Sequence, residues 1–313
     1  MDRIAHRREQ GIGNTESVFL WERAITINFE KKESAGLTTE RAERLDRFFS
    51  GFIEGAHPLL LLDYDGTLAA FRVDRFAARP WAGVRQLLKR IQIEGRTRMA
   101  VITGRPAAEI APMLQLDPPL EVWGLHGAER LYPDGRRDLQ EAPAATRVKL
   151  EELRVLLRRD PLGGLFEDKA NGVVLHWRGR SRPQAAQIEQ RTRALFEPLA
   201  RMEGLALLDF DGGIELRVGR NKGGAVREIV AEAKAGAPVA YLGDDLSDEA
   251  AFEAVNCLGP RGLSILVRRA QRKTAAQLWL HAPAGVKEFL ESWIEAMSSA
   301  GLPGFVAPVS QDL

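Results

Sequence analysis

Two carboxylates directly follow an apolar segment in the first quarter of the chain. Asp63 and Asp65 come after Leu59–Leu62, and Gly66 follows them. Such an apolar run is typical of a strand buried on both faces of a parallel sheet, and ligands of open α/β sheets gather at the carboxyl ends of such strands. Two carboxylates this close repel each other, so they need a cation or a positively charged neighbour. The segment therefore predicts a charged reaction site at one sheet edge.

Further polar side chains stand where other predicted strands end or helices begin. They are Thr103, Lys222, Asp244, Asp245 and Asp248. Carboxylate oxygens suit Mg²⁺, and a hydroxyl with an ammonium group can hold a phosphoryl group while its charge is transferred. A carboxylate such as Asp63 can attack phosphorus as a nucleophile, and Asp65 can act as general acid and later as general base. The set predicts phosphoryl-transfer chemistry.

The order of the predicted elements favours an α/β fold with an insertion. Strands and helices alternate up to residue 127 and again from about residue 219, which indicates a parallel sheet with right-handed crossovers. Between these parts, strands and helices mix without strict alternation, and residues 205–218 form a predicted hairpin. We therefore predict a doubly wound parallel sheet that carries an inserted α+β module.

The predicted domain boundaries follow from these patterns. Residues 38–127 and 216–300 form the core, and residues 128–215 form the cap. Residues 1–37 are a polar extension, partly disordered, with Thr38 or Thr39 as the cap of the first helix. Residues 301–313 are a loose tail.

Composition narrows the classes of partner. Lys and Arg total 44 against 43 for Asp and Glu, so a net charge of +1 gives no argument for nucleic acid or an anionic membrane. The single cysteine, Cys257, excludes an internal disulfide and a cysteine-based zinc cluster. Residues 1–8 lack an apolar stretch and no apolar run reaches membrane-spanning length. We therefore expect no secretory signal and a cytoplasmic location.

Four motifs occur in one order along residues 55–298. They are Asp-x-Asp-Gly-Thr-Leu from Asp63, Thr-Gly-Arg from Thr103, Lys222, and Gly-Asp-Asp-x-Ser-Asp-Glu from Gly243. This set resembles the haloacid dehalogenase superfamily of phosphatases. The resemblance implies that superfamily's Rossmann-like core.

Within that superfamily, the chain is most similar to the trehalose-6-phosphate phosphatase family. The fourth motif resembles that family's, although Ser247 stands where the family usually has Thr. Residues 166–170 and 174–178 are similar to the family's cap segment, in which a Glu-x-Lys pair and a His-aromatic-Arg run face the sugar. The position of the insertion between the second and third motifs also matches the family.

The resemblance implies a role for each core residue. Asp63 is the nucleophile, and Asp65 is the general acid and base whose backbone carbonyl binds magnesium. Thr103 and Lys222 bind the phosphoryl group, while Asp63 and Asp244 are the side-chain ligands of Mg²⁺. For the two remaining acids, the resemblance implies hydrogen bonding around the ligands or, less readily, direct ligation of the metal: Asp245 and Asp248.

The resemblance also implies residues that contact the substrate. The candidates for the disaccharide hydroxyls are Glu167, Lys169 and Glu215. Further candidates for substrate binding are Arg105, His126, His176 and Arg217.

The implied activity is Mg²⁺-dependent hydrolysis of trehalose 6-phosphate to trehalose and phosphate through an aspartyl-phosphate. The substrate is a small sugar phosphate, with no nucleic acid or membrane partner, and a functional link to a separate trehalose-6-phosphate synthase is compatible with it. The substrate could instead be another sugar phosphate, such as sucrose phosphate or a glucosyl- or mannosyl-phosphoglycerate. A phosphotransferase or mutase would also fit the motifs, and so would a non-catalytic sugar-phosphate sensor.

Plainer interpretations exist for several of these residues. Thr103 could cap the helix that follows Pro106, and Lys222 could be a solvated lysine, although it is poorly placed against the helix dipole. Glu167 and Lys169 could form a surface ion pair of little energetic value. Residues 209–212 repeat the letters Asp-x-Asp-Gly, but Gly213 follows instead of Thr, so we predict a hairpin turn there.

Overall fold

The computed structural model describes residues 35–53, 55–72, 75–160, 164–169, 172–210 and 212–300. The chain divides into two compact units, residues 1–47 and 48–313. Of the first unit, the structure describes residues 35–47, which belong to helix α1 (Ala35–Phe49). The predicted extension and tail lie outside the described residues, apart from residues 35–37. Those three are helical, so α1 begins before Thr38 and the predicted capping position was wrong.

The large sheet has eight strands within the described residues. They are β1 (Leu59–Leu62), β2 (Arg98–Ile102), β3 (Glu121–Gly124), β4 (Glu129–Leu131), β5 (Arg137–Leu139), β10 (Val239–Gly243), β11 (Gly262–Val267) and β12 (Leu278–Leu280). Their order is β12-β11-β10-β1-β2-β3-β4-β5. The strands from β12 to β3 are parallel, and β4 and β5 add to the edge in antiparallel pairing. The predicted parallel α/β core is confirmed.

Five helices of the second unit accompany this sheet. They are α2 (Val84–Glu94), α3 (Ala107–Leu114), α6 (Lys222–Ala231), α7 (Glu249–Asn256) and α8 (Ala284–Ser299). The side chains of β1 alternate between the two sheet faces. Leu59 and Leu61 share one core cluster with Val226 of α6 and Phe252 of α7. A residue that continues this alternation, such as Asp63, therefore points toward the face covered by α6.

In the chain, the strands of the small sheet lie between β5 and β10 of the large sheet. Its strands are β6 (Phe166–Lys169), β7 (Gly172–His176), β8 (Leu205–Phe210) and β9 (Gly213–Val218), antiparallel in the order β6-β7-β9-β8. Helices α4 (Ala144–Arg159) and α5 (Arg182–Ala200) cover one face, where Val173, Leu216 and Phe196 share a buried cluster. The predicted hairpin at residues 205–218 is confirmed.

Several boundaries differ from the sequence-based expectations. Residues 129–139, which we predicted as part of the cap, form β4 and β5 of the large sheet, and β9 of the small sheet extends to Val218. Strand β3 ends at Gly124, and the chain continues as a 3₁₀ turn over Leu125–Gly127. Within the described ranges, no helix is both long and apolar enough to cross a membrane.

Candidate active site

Asp63 and Lys222 form a buried ion pair at the carboxyl edge of the large sheet. Asp63 directly follows β1, and its N–H still donates to Leu242 O at 2.8 Å, which continues the strand pairing. Lys222 is the first residue of α6, and its Nζ donates to Asp63 Oδ1 at 2.6 Å. Both side chains are at most 5% exposed. Because Lys222 is buried, its interpretation as a solvated first-turn lysine is wrong. Its two carboxylate partners offset the unfavourable helix dipole.

Asp248 is the second carboxylate on Lys222. Lys222 Nζ donates to Asp248 Oδ1 at 2.7 Å, and the Tyr241 hydroxyl donates to the same oxygen at 2.5 Å. The backbone N–H groups of Asp244 and Asp245 both donate to Asp248 Oδ2 at 2.9 Å. With four donors on two oxygens and no exposed surface, Asp248 positions the lysine and the loop after β10.

Asp244 carries a buried oxygen that lacks a hydrogen bond. Its Oδ1 accepts none within the described part of the chain. Carboxylate oxygens of Asp63, Asp244 and Asp248 lie within 4.8 Å of one another. A buried unpaired carboxylate oxygen needs an explanation, and an oxygen-only donor set fits a hard divalent cation. Because Asp248 is already saturated, we consider Asp63 and Asp244 the side chains that would hold the metal.

Gly66 allows this approach of Asp244 to the loop after β1. Its φ of +84° is in the left-handed region, and a Cβ added there would lie 2.1 Å from Asp244 Oδ2. No side chain fits between the backbone and that carboxylate. The glycine of the first motif therefore serves both the turn and the contact.

Burial and neighbouring negative charges raise the pKa of two of these carboxyl groups, Asp63 and Asp244. Burial, followed by the charge of Asp248, raises the pKa of Asp63 to about 7, although Lys222 acts in the opposite direction. Burial, then the charges of Asp63 and Asp248, raise the pKa of Asp244 to about 9. Carboxylates that repel one another in a buried site are stabilised by a bound cation. The raised pKa values and the unpaired Asp244 Oδ1 therefore both indicate a site for a cation.

Asp65 lies beside this cluster but has a different partner. Arg105 Nε donates to Asp65 Oδ2 at 2.6 Å and Arg105 Nη2 donates to Asp65 Oδ1 at 2.5 Å. Thr103 is buried and its Oγ1 accepts from Arg105 N–H at 3.2 Å. Helix α3 has Pro106 as its N-cap, so the interpretation of Thr103 as the helix cap is wrong.

The face of the small sheet opposite α4 and α5 collects the predicted sugar-binding residues. Directly opposed residues of antiparallel strands share a face, and Glu167, Val174 and Glu215 stand in one row while Lys169, Gly172 and Arg217 stand in the next. Lys169 Nζ donates to Glu215 Oε2 at 3.0 Å. Glu167 Oε2 lies 2.7 Å from His176 Nε2. Helices α4 and α5 pack on the opposite face. On this face Glu215 and Arg217 are buried, while the side chains of Glu167 and Lys169 are 50% and 43% exposed.

His126 lies between the two sets of residues. Burial lowers its pKa well below the ordinary value, and so do the positive charges of Lys222, Arg217 and Lys169. The ring is therefore neutral at physiological pH, and its buried Nδ1 has no hydrogen-bond partner among the described residues. Its backbone is left-handed, with φ of 56°. A buried unpaired nitrogen between two polar surfaces is available to a hydroxyl of a ligand.

Similarity to known proteins indicates the family to which a chain with this site belongs. A family model described as "Trehalose-phosphatase" matches residues 61–283. The chain belongs to the trehalose-phosphatase family. It is 34% identical over 257 residues to the trehalose-phosphate phosphatase of Mycobacterium marinum (strain ATCC BAA-535 / M), an alignment that covers 78% of this chain and 63% of that protein. This chain thus spans less than two thirds of the length of that relative.

Two solved structures show the fold of the family in this chain. The trehalose-6-phosphate phosphatase of Aspergillus fumigatus superposes with a TM-score of 0.65 at 24% identity, over 80% of this chain and 97% of that one. A haloacid dehalogenase-like hydrolase from B. subtilis superposes with a TM-score of 0.52 at 17% identity, over 74% and 98%. The chain therefore shares the fold of these two structures.

The repeated Asp-x-Asp-Gly letters of the chain do not form a second site of the family's kind. Asp209 lies on the helix-covered face of the small sheet, and Arg193 Nη2 donates to its Oδ1 at 2.5 Å. Asp211 lies outside the described residues. The pairing of Asp209 with an arginine of α5 accounts for its charge.

Two residues of the site escaped sequence-based reasoning. Tyr241 resembles an apolar residue of a buried strand, yet its hydroxyl contacts Asp248. Glu129 is 1% exposed, and its Oε2 accepts from Ala107 N–H at 2.9 Å, which holds the start of α3 after the Thr-Gly-Arg segment. Neither contact leaves a periodic or spacing signal in the sequence.

Proposed function

We propose that this protein is a Mg²⁺-dependent phosphatase that hydrolyses trehalose 6-phosphate to trehalose and inorganic phosphate. One observation carries the proposal: the Asp63 carboxylate is held by the Lys222 ammonium beside the unpaired Asp244 oxygen. A nucleophile, a phosphate-binding cation and a carboxylate suited to a metal meet at the family's motif positions. The proposal includes a cytoplasmic location and a separate trehalose-6-phosphate synthase as the source of substrate.

The chemistry divides among the side chains. An oxygen of Asp63 attacks phosphorus, while Asp65 gives a proton to the departing sugar oxygen, which yields trehalose and an aspartyl-phosphate. Asp65 then takes a proton from the water that attacks phosphorus. The bond between phosphorus and the Asp63 oxygen breaks, which restores the Asp63 carboxylate and releases inorganic phosphate. Lys222 and the Thr103 hydroxyl neutralise the charge on the phosphoryl oxygens. Asp63, Asp244 and the backbone carbonyl of Asp65 would hold Mg²⁺, which would supply further charge neutralisation.

The small sheet gives the proposal its specificity. We take residues 144–218 as the cap, whose face opposite α4 and α5 presents Glu167, Lys169, Glu215 and Arg217 to the disaccharide. Ion-paired acids and bases match a ligand rich in hydroxyl groups, because each hydroxyl both donates and accepts. His176 adjoins Glu167 on the same face and orients it.

The test is phosphate release from a panel of sugar phosphates. We expect the highest kcat/KM for trehalose 6-phosphate, with lower values for sucrose phosphate, glucosyl-phosphoglycerate and glucose 6-phosphate. Excess chelator and the Asp63→Asn variant should both abolish turnover. A preference for another sugar phosphate would overturn the substrate. Formation of a phosphorylated sugar instead of free phosphate would indicate a phosphotransferase, and a protein that binds but never turns over would indicate a sensor.

A further inference from the structure

Arg105 contacts the candidate general acid rather than the sugar-facing surface. Its guanidinium makes a two-pronged contact with both oxygens of Asp65, at 2.6 and 2.5 Å. The Arg105 side chain is 10% exposed and that of Asp65 is 20% exposed. A planar guanidinium that grips both oxygens restricts the rotation of the carboxylate more than a single hydrogen bond does.

Further contacts hold Arg105 itself. Its guanidinium carbon lies 5.8 Å from the centre of the Tyr64 ring, and its Nη1 lies 3.9 Å from Met113 Sδ. Its backbone N–H donates to Thr103 Oγ1, and its carbonyl accepts from Leu125 N–H at 2.8 Å. The arginine is therefore fixed by its own segment and by the residue before Asp65.

The backbone around Asp65 does not fix the direction of its side chain. The loop that carries it turns at Gly66, whose N–H donates to Ala69 O at 2.7 Å, and this contact leaves the side-chain torsions of Asp65 open. A general acid must point at the departing oxygen, and a displacement of about 1 Å can cost about 100-fold in rate. The side chain that fixes the direction of the Asp65 carboxyl group is that of Arg105.

We propose that Arg105 is a positioning residue that aims the carboxyl group of Asp65 at the leaving oxygen. This inference rests on the proposed function only for the role of Asp65 in proton transfer. It predicts that replacing Arg105 lowers kcat/KM most for the substrates whose leaving group most needs a proton. A sugar or alkyl oxygen leaves poorly without one, whereas a nitrophenolate leaves well.

The test compares the wild type with Arg105→Lys, which keeps the positive charge but loses the planar fork. Three substrates are used: trehalose 6-phosphate, propyl phosphate and 4-nitrophenyl phosphate. We expect kcat/KM to fall about 100-fold on both the sugar and the alkyl phosphate, and far less on the aryl phosphate. The logarithm of kcat/KM should then depend more steeply on leaving-group pKa in the variant. Arg154→Lys, at an arginine paired with Asp168 on the other face of β6, controls for the exchange itself.

Each competing role of Arg105 gives a different pattern. A loss confined to trehalose 6-phosphate would assign Arg105 to the sugar and overturn the proposal. Equal losses on all three substrates, or an unfolded variant by circular dichroism, would assign it to phosphate binding or to the fold and also overturn it. The double variant with Asp65→Asn should lose no more on propyl phosphate than Asp65→Asn alone, because residues that act as a unit are not additive.

The outcome for Arg105 is separate from the outcome for the substrate. The comparison of propyl with nitrophenyl phosphate contains no disaccharide. A wild-type enzyme that cleaves these two but not trehalose 6-phosphate would overturn the proposed substrate. The dependence of kcat/KM on leaving-group pKa would still decide the positioning role of Arg105.

Discussion

Lys222 Nζ lies 2.6 Å from Asp63 Oδ1, although 159 residues separate the two in the chain. The small sheet and its helices occupy nearly half of that interval, so the ion pair links the two halves of the large sheet across the insertion. Both groups are almost fully buried, and Asp248 shares the ammonium. The lysine therefore affects the stability of the core as well as the chemistry.

Replacing Lys222 by methionine should abolish activity and destabilise the metal-free protein. Removing one partner of a buried ion pair costs about 3–5 kcal/mol, because the remaining charges are left unpaired. Urea unfolding in chelator, with phosphate release on the same samples, measures both effects. Asp63→Asn with Lys222→Met should recover part of the stability but no activity. A Lys222→Met variant as stable as the wild type would contradict the buried pair.

The metal-free protein should lose stability as pH rises. The pKa of Asp63 is raised from 3.8 to about 7 and that of Asp244 to about 9. The folded state therefore binds these protons more tightly than the unfolded state does. Their stabilising effect is complete below pH 3.8, decreases as pH rises through about 7, and is gone above about 9.

Mg²⁺ should reverse this trend, because it binds the deprotonated carboxylates. We expect the rise in Tm on adding Mg²⁺ to grow with pH across this window. Thermal unfolding at several pH values, with chelator or with Mg²⁺, measures it. Asp244→Asn should remove most of the metal-dependent rise. A Mg²⁺ effect of the same size at every pH would argue against these carboxylates as the metal site.

Gly66→Ala should disable the site for a local reason. Its Cβ would lie 2.1 Å from Asp244 Oδ2, and the backbone there has a φ of +84°. Gly236 is the matched control, because its φ is +82° and a Cβ there would meet nothing within 4 Å. Both exchanges should cost about 1–2 kcal/mol of backbone strain. The loss of phosphate release and of Mg²⁺-dependent stabilisation should be confined to Gly66→Ala, and equal losses in both variants would contradict the clash.

The central strands and their acids were predictable because their signals are local. Four leucines before Asp63 indicate a buried parallel strand, and parallel strands bring their carboxyl ends to one edge. Strands β4 and β5 were not predictable, since Glu-Arg-Leu and Arg-Asp-Leu carry no apolar run. The contacts of Tyr241 with Asp248 and of Arg105 with Asp65 join side chains from separate elements, and such hydrogen bonds leave no periodicity in the sequence.

The polar face of the small sheet should determine substrate preference. Glu167→Ala and Lys169→Ala should each lower kcat/KM for trehalose 6-phosphate strongly and that for 4-nitrophenyl phosphate little. The physical reason is that Lys169 and Glu215 form a pair of partly buried charges 3.0 Å apart, to which sugar hydroxyls can bond. A lost hydrogen bond to a charged group costs about 1.5–3 kcal/mol, or roughly 10- to 100-fold in kcat/KM.

Asp168 provides the control for this face. It lies between Glu167 and Lys169 in β6, but strand alternation points it to the opposite face, where Arg154 and Arg158 donate to its oxygens at 2.9 and 2.6 Å. Asp168→Ala should therefore leave the ratio of the two kcat/KM values close to that of the wild type. If Asp168→Ala changed the ratio as much as Glu167→Ala does, the effect would come from the stability of β6, and the face opposite α4 and α5 would not be the sugar-binding surface.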